Sequence, residues 1–313
     1  MEILNKILTL ANKHSARFVS LNFVDFFGRL RHIDSIATNL NSENSLVMAG
    51  DKKFKFIEDK YFFDPFRSHP TIFCFCEEFL NMSSPRTSAK YFMEKLDVLD
   101  MISCECEINF LVYPKNNPIL SNEDKSLSYD ELDKEVNLRT EIIDILENIG
   151  IKTTYHCDGS KISECIIGIK AENYLEIADN ILITKYVIMN VAESYGQNVI
   201  FTSEFDNNNR VALTLYLNFS NIKGNIVNSL FTLIEGNLQH EIIDNNIIVK
   251  LNKKYCRIEI FIKNVEINPY IIFTALILNA NNRSNELAEI FSNEIMDSYT
   301  LESKKYKERI KTI

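Results

Sequence analysis

Glycine is scarce in this sequence, with 8 residues in a chain of 313, where roughly 7% would be ordinary. Tryptophan is absent. So few glycines exclude collagen-like and glycine-rich low-complexity designs. Neither G-x-G-x-x-G nor G-x-x-x-x-G-K-[ST] occurs, so the two common glycine-rich phosphate cradles are missing, and a nucleotide would have to be held another way. No apolar run approaches the ~18–20 residues that span a bilayer. Positive charge is in deficit as well: 34 Lys and Arg face 43 Asp and Glu, for a net charge of −9. That balance disfavours nucleic acid and anionic membrane as partners. The one basic cluster, Lys304, Lys305, Lys307, Arg309 and Lys311, reads as the solvated face of a final helix. The opening MEILNKILTLANKH is amphipathic with an acid at position 2, unlike a signal peptide. Seven cysteines, an odd number, fit free thiols in a reducing cytoplasm.

Hydrophobic residues make up 46% of the chain, enough for a substantial core. Ile3–His14 has helical periodicity. Phe18–Phe23 and Leu30–Ile36 alternate as strands around a turn at Asp25–Gly28, which predicts a β-hairpin. Asn39–Ser45 is a polar loop. Phe54–Phe63 and Thr71–Phe75 are further strands, and Thr87–Leu99 is a helix begun near Ser84-Pro85. A domain boundary is placed there, giving a small β-rich domain over 1–85 and a larger one over 86–313. In the second part, strands are expected at Glu105–Tyr113, Lys152–Tyr155, Glu164–Ile169, Val199–Ser203, Val211–Phe219, Ile247–Leu251 and Cys256–Lys263. Helices are expected at Glu135–Ile149, stopped by Gly150, and at Asn173–Tyr195, stopped by Gly196. Others fall at Ile226–Glu235, Tyr270–Asn279 and Asn285–Ile295, with a loop over Asn116–Ser128. The mixed order favours an α+β fold over a doubly wound sheet.

Read in order, several segments resemble the glutamine synthetase family. Leu21–Ile33, LNFVDFFGRLRHI, is similar to its N-terminal hairpin, and Ser84–Leu96, SPRTSAKYFMEKL, to the D-P-R helix that opens its catalytic domain. Cys106–Tyr113, CEINFLVY, resembles the E-x-E strand. Asn137–Phe201 carries the R-e-i helix, the position of the His-His-Glu triplet, a Glu at 164 and the A-D-n helix in family order. Arg257-Ile258-Glu259, ahead of Asn268-Pro269-Tyr270, resembles the R-i-E and N-P-Y block. The resemblance implies a β-grasp N-terminal domain and a catalytic-type domain on a curved antiparallel sheet with helices. It also implies oligomeric rings and the synthesis of glutamine from glutamate, ammonia and ATP with two Mg²⁺ or Mn²⁺ ions.

The family supplies those hard cations with five Glu and one His, as oxygen-seeking ions require. A gapless comparison keeps Glu107, Glu164 and Glu259 as metal ligands. It puts Asn109, Cys157 and Leu215 where a Glu, a Glu and the His should stand. An amide is a weak ligand for a hard ion, and a thiol has the wrong softness. Glu105 also precedes Glu107 in an E-x-E, so either can head that strand. Asp51 is the candidate for the aspartate that deprotonates ammonium, although no Gly-Ser-Ser follows it, and Arg257 keeps the first Arg of R-i-E-x-R while Phe261 replaces the second. The glycines of the substrate loop are replaced at Val211 and Leu213. About seventy residues of the family's flap and substrate region have no counterpart before Arg257. These losses predict a pseudoenzyme, a binding or regulatory subunit of a homo- or hetero-oligomer. The competing reading is a residual carbon–nitrogen ligase that binds ATP and glutamate through Glu107, Glu164 and Glu259. A soft-metal site at Cys157 is a third. Cys74-x-Cys76 and Cys104-x-Cys106 fit buried core thiols better than a zinc site. His156 and Cys157, adjacent on a strand, face opposite sides and do not make a catalytic dyad. His240 reads as surface.

Overall fold

The computed structural model describes residues 2–25, 28–40, 42–43, 46–49, 52–78, 85–95, 103–115, 133–159, 163–202, 204–205, 209–218, 247–252, 257–262 and 268–270. The expected loop at 116–128, the helices at 226–235 and 285–295, most of the helix from Tyr270, Asp51, His240 and the basic cluster lie outside them.

Helix α1 (Glu2–Lys13) turns Leu4, Ile7 and Ala11 inward, the spacing of one apolar stripe. It packs on a six-stranded sheet formed by β1 (Phe18–Val24), β2 (Leu30–Ile36), β3 (Ser42–Glu43), β4 (Leu46–Ala49), β5 (Lys52–Phe63) and β6 (Thr71–Glu78). Their order is β2-β1-β6-β5-β4-β3, with β1 and β6 parallel and the other pairs antiparallel. The β1–β2 hairpin turns at Gly28, whose φ of 77° suits a residue without a Cβ. Asp25 clamps the turn by accepting from Arg29 Nε at 2.8 Å and Arg31 Nε at 3.0 Å. The polar stretch expected as loop over 39–45 instead contributes β3 and leads into β4. Strands this short carry no readable alternation; β4's pairing to β5 satisfies their backbone. Strand β5 shifts register between Phe56 and Tyr61, where Asp59 takes a φ of 57° in a bulge.

Helix α2 (Pro85–Lys95) begins on a proline, whose fixed φ suits a first helical position. Then come β7 (Ser103–Pro114), α3 (Val136–Asn148), β8 (Thr153–Asp158), β9 (Glu164–Ala171), α4 (Tyr174–Ser194) and β10 (Gln197–Ile200). They are followed by β11 (Glu204–Phe205), β12 (Asn209–Arg210), β13 (Leu213–Asn218), β14 (Ile247–Asn252) and β15 (Arg257–Ile262). Strands β11 and β12 pair with each other. The large sheet is antiparallel, in the order β14-β15-β13-β7-β9-β8. Strand β7 is its spine: residues 103–108 pair with β13, whereas residues 111–114 pair with β10.

Gly150 and Gly196, the expected helix stops, have φ of 88° and 70°. After α3, the N–H groups of Gly150 and Ile151 reach back to the carbonyls of Glu147 and Leu146, so the last turn's acceptors are satisfied. Helices α3 and α4 bury one face of the large sheet. Leu138, Ile142, Leu146, Ile181, Val187 and Ile188 pack there on Cys104, Cys106, Ile108 and Phe110. A second core joins α1 to the small sheet. Phe62, Phe73 and Phe75 of that sheet also reach into the larger core. Cys74 and Cys76 belong to the smaller core, Cys104 and Cys106 to the larger. Burial pushes all four thiols up, which keeps them protonated.

Candidate functional site

Alternation along β7 decides what stands where. Cys104, Cys106, Ile108 and Phe110 enter the helical core, so Glu105, Glu107 and Asn109 project from the other face of the sheet. Pairing carries that face across the neighbouring strands. Glu107 lies between Thr214 on β13 and Gly168 on β9, and Tyr155 on β8 pairs with Gly168. One row away, Glu105 lies between Tyr216 and Lys170, and Glu259 on β15 pairs with Tyr216. In the opposite direction Asn109 pairs with Ile166, which pairs with Cys157.

The side chains of this face are engaged with one another. The Tyr155 hydroxyl donates to Glu107 Oε1 at 2.6 Å, and Tyr216 stands on the neighbouring strand β13, one row away. Burial first, then Glu107, push both phenols up, so both remain protonated. A Cβ on Gly168 would come within 3.1 Å of Tyr155 Cε1 and 2.3 Å of Thr154 Oγ1; a bare backbone here lets the Tyr155 ring lie across β9 and reach Glu107. Beyond Tyr216, Arg257 Nε donates to Glu259 Oε1 at 2.8 Å. The same guanidinium lies 4.6 Å from the centre of the Tyr216 ring, a cation–π contact. Tyr216 thus holds the Arg257–Glu259 pair one row from Glu107.

Three of the five expected site residues, Glu107, Glu259 and Arg257, are brought together in this way. Glu164 stands apart, opposite Leu111 at the start of β9 and 2% exposed. The chain at Gly159 closes over it: the Gly159 N–H donates to the Glu164 carbonyl at 2.8 Å, and a Cβ there would fall 2.2 Å from Glu164 Oε2. Gly159→Ala is therefore expected to cost about 1–3 kcal/mol, the price of overpacking, measured by urea unfolding. An unchanged midpoint would show that the Glu164 side chain has room to swing. Asp51, the fifth, lies outside the described residues.

Leu215 does not face the site. It pairs with Cys106 and Ile260 and is 2% exposed in the helical core. Thr214 stands opposite Glu107 instead, one position from the gapless comparison, and a shift of one residue exchanges the faces of a strand. The two tyrosines escaped the sequence reading, although their spacing carried a signal: Thr214 and Tyr216 alternate out of the Leu213, Leu215, Leu217 core row. Among the described residues, no three His, Cys, Asp or Glu side chains gather where they could hold a metal ion. His156 turns to the helical side and accepts from Arg139 Nε at 3.4 Å.

A family model for the glutamine synthetase catalytic domain matches residues 78–213. The glutamine synthetase of Azospirillum brasilense is 23% identical over 256 residues, which cover 64% of this chain and 55% of that protein. The chain spans about half the length of this curated relative. The solved Plasmodium falciparum glutamine synthetase superposes with a TM-score of 0.66 at 14% identity, over 91% of this chain and 75% of that one. The chain has the fold of glutamine synthetase. Ligand-free GmaS has the same fold, with a TM-score of 0.67 at 14% identity over 90% of this chain and 81% of its own.

The motifs that carried the glutamine synthetase resemblance meet in space. Arg86, from the D-P-R-like segment, forms a two-pronged ion pair with Asp179 of the A-D-n helix, both distances 2.9 Å. Tyr270 of N-P-Y donates its hydroxyl to the same carboxylate. Tyr174 donates to the Pro269 carbonyl, and Asn268 Nδ2 reaches the Asp25 carbonyl in the first hairpin at 3.3 Å. This buried polar junction is what the shared motifs hold in place.

Proposed function

We propose that this glutamine-synthetase-like chain has lost the ATP-dependent joining of ammonia to glutamate and serves as a binding or regulatory subunit of an oligomer. The division into an N-terminal unit over 1–85 and a catalytic-type unit over 86–313 is part of the reading. The observation that carries it is the state of Glu107 and Glu259, whose carboxylates accept from the Tyr155 phenol and from Arg257.

The family reaction calls for hard divalent cations that offset the charge of the transferred phosphoryl group. Such ions need several oxygen atoms free to donate lone pairs. Here Glu107 is engaged by Tyr155, and Glu259 by Arg257. Asn109, Cys157 and Thr214 fill neighbouring places on the face with an amide, a thiol and a hydroxyl. The residues present do not fit the two cations. Losing one charge-stabilising group at such a site costs ~10²–10³ in rate, and several are changed here at once.

The test is γ-glutamyl hydroxamate formation from glutamate, hydroxylamine and ATP with Mn²⁺ or Mg²⁺. No product above the enzyme-free blank is expected. Turnover within a hundredfold of an active glutamine synthetase would overturn the loss of activity and restore the ligase reading. A monomeric mass in sedimentation would remove the oligomeric part alone.

A further inference from the structure

We infer that Tyr155, Tyr216 and Arg257 form a lock that takes over the role of the divalent cation in the family's site, holding Glu107 and Glu259 in place by hydrogen bonds and an internal ion pair. The inference rests on the proposed loss of ligase activity and names the device that keeps the cation out.

Two carboxylates on one sheet face repel each other and need compensation. A bound dication supplies it in one way, and this chain supplies it in another. The phenol of Tyr155 reaches Glu107 from β8 on one side, and on the other side Tyr216 stands on β13 with its ring under Arg257. The Tyr155 O–H occupies a carboxylate lone pair that a cation would need. Arg257 brings a permanent positive charge 2.8 Å from Glu259 and stacks on Tyr216, so an incoming dication meets like charge as well as occupied oxygens. The geometry is mutually supporting. Gly168 gives Tyr155 its path to Glu107, and the Tyr216 ring lies against the guanidinium of the Arg257–Glu259 pair. The side chain of Arg257 is 29% exposed and that of Glu259 14%. The lock is therefore within reach of solvent ions, which are refused by chemistry rather than by burial.

The lock is tested on the full chain by Mn²⁺ titration, with the paramagnetic resonance signal of free Mn²⁺ as the readout and no ATP or glutamate present. The wild-type chain is expected to leave that signal unchanged up to about 1 mM Mn²⁺, within the weak range of metal sites. In Y155F/Y216H one phenol is removed and the other exchanged for an imidazole ligand, and at least tenfold tighter binding is expected. Adding R257Q should tighten it again. Equal affinity in the wild type and a folded Y155F/Y216H chain would overturn the lock, and so would micromolar binding by the wild type. Should the double variant fail to fold, thermal unfolding of the wild type with and without Mn²⁺ decides. An unchanged midpoint supports the lock, and a rise of several degrees overturns it. Wild-type Mn²⁺ binding without hydroxamate formation would sink the lock and leave the proposed loss of activity standing, so the two failures are distinguishable.

Discussion

Asp179→Ala is expected to remove about 3–5 kcal/mol of stability, the range for breaking a buried ion pair by deleting one partner. Asp179 is 1% exposed. It takes both prongs of Arg86 at 2.9 Å and the hydroxyl of Tyr270. Deleting the carboxylate leaves a largely buried guanidinium without its counter-ion and a buried phenol without its acceptor, each costly to strand. The damage also spreads beyond the pair, since the network ties α2, α4 and residues 268–270 together. Urea unfolding followed by circular dichroism measures the loss. A change under about 1 kcal/mol would show that water replaces the carboxylate at little cost. Asp179→Asn keeps one acceptor and should fall between the wild type and alanine.

Arg139→Ala is expected to cost about 2–4 kcal/mol, since a buried side chain loses its packed stem as well as its charge partner. Arg139 sits on the otherwise apolar face of α3 and is 1% exposed. It pairs with Asp133 and reaches His156 Nδ1 at 3.4 Å and Cys165 Sγ at 3.6 Å. The variant has a second signature. Burial first, and the Arg139 charge second, hold the His156 pKa below its ordinary value. The folded chain therefore binds this proton less readily than the unfolded one. The stability linked to His156 is complete above the ordinary histidine value of about 6.5. It is lost as pH falls from there toward the lowered folded value. In Arg139→Ala the His156 pKa should rise, and the acid-side decline should shrink. Nuclear magnetic resonance titration of the His156 ring reads the pKa directly. A value unmoved by the substitution would mean that burial alone sets it.

Much of the architecture was legible because the sequence is locally consistent. The amphipathic pattern of α3, the stops at Gly150 and Gly196 and the alternation of β7 each point to the structure observed. The short β3 and β4 were not, since strands of two and four residues owe their existence to a neighbour rather than to their own pattern. The site was half legible. Glu107 and Glu259 were identified by motif order, but their partners depend on which residues face each other across strands. A comparison without gaps cannot fix that register: Leu215, aligned with the family's histidine, faces the helical core, and Thr214 stands opposite Glu107. Tyr155 and Tyr216 look like ordinary strand residues until pairing sets them on either side of Glu107. Glycine scarcity also has a sharper meaning. Of the few glycines present, Gly159 and Gly168 stand against the very carboxylates singled out, Glu164 directly and Glu107 through Tyr155.

The divided pairing of β7 bears on how the chain assembles. Its residues 111–114 find β10, and its residues 104–111 find β9, soon after those segments are made. The edge at residues 103–108 has to wait for β13, and β13 in turn for β15. Sheet completion is therefore governed by contacts between distant parts of the chain, the kind that fold slowly. During synthesis on the ribosome, the strand that bears Glu105 and Glu107 stays open on one side until residue 218 has emerged, a window in which a chaperone or a second nascent chain can pair with it.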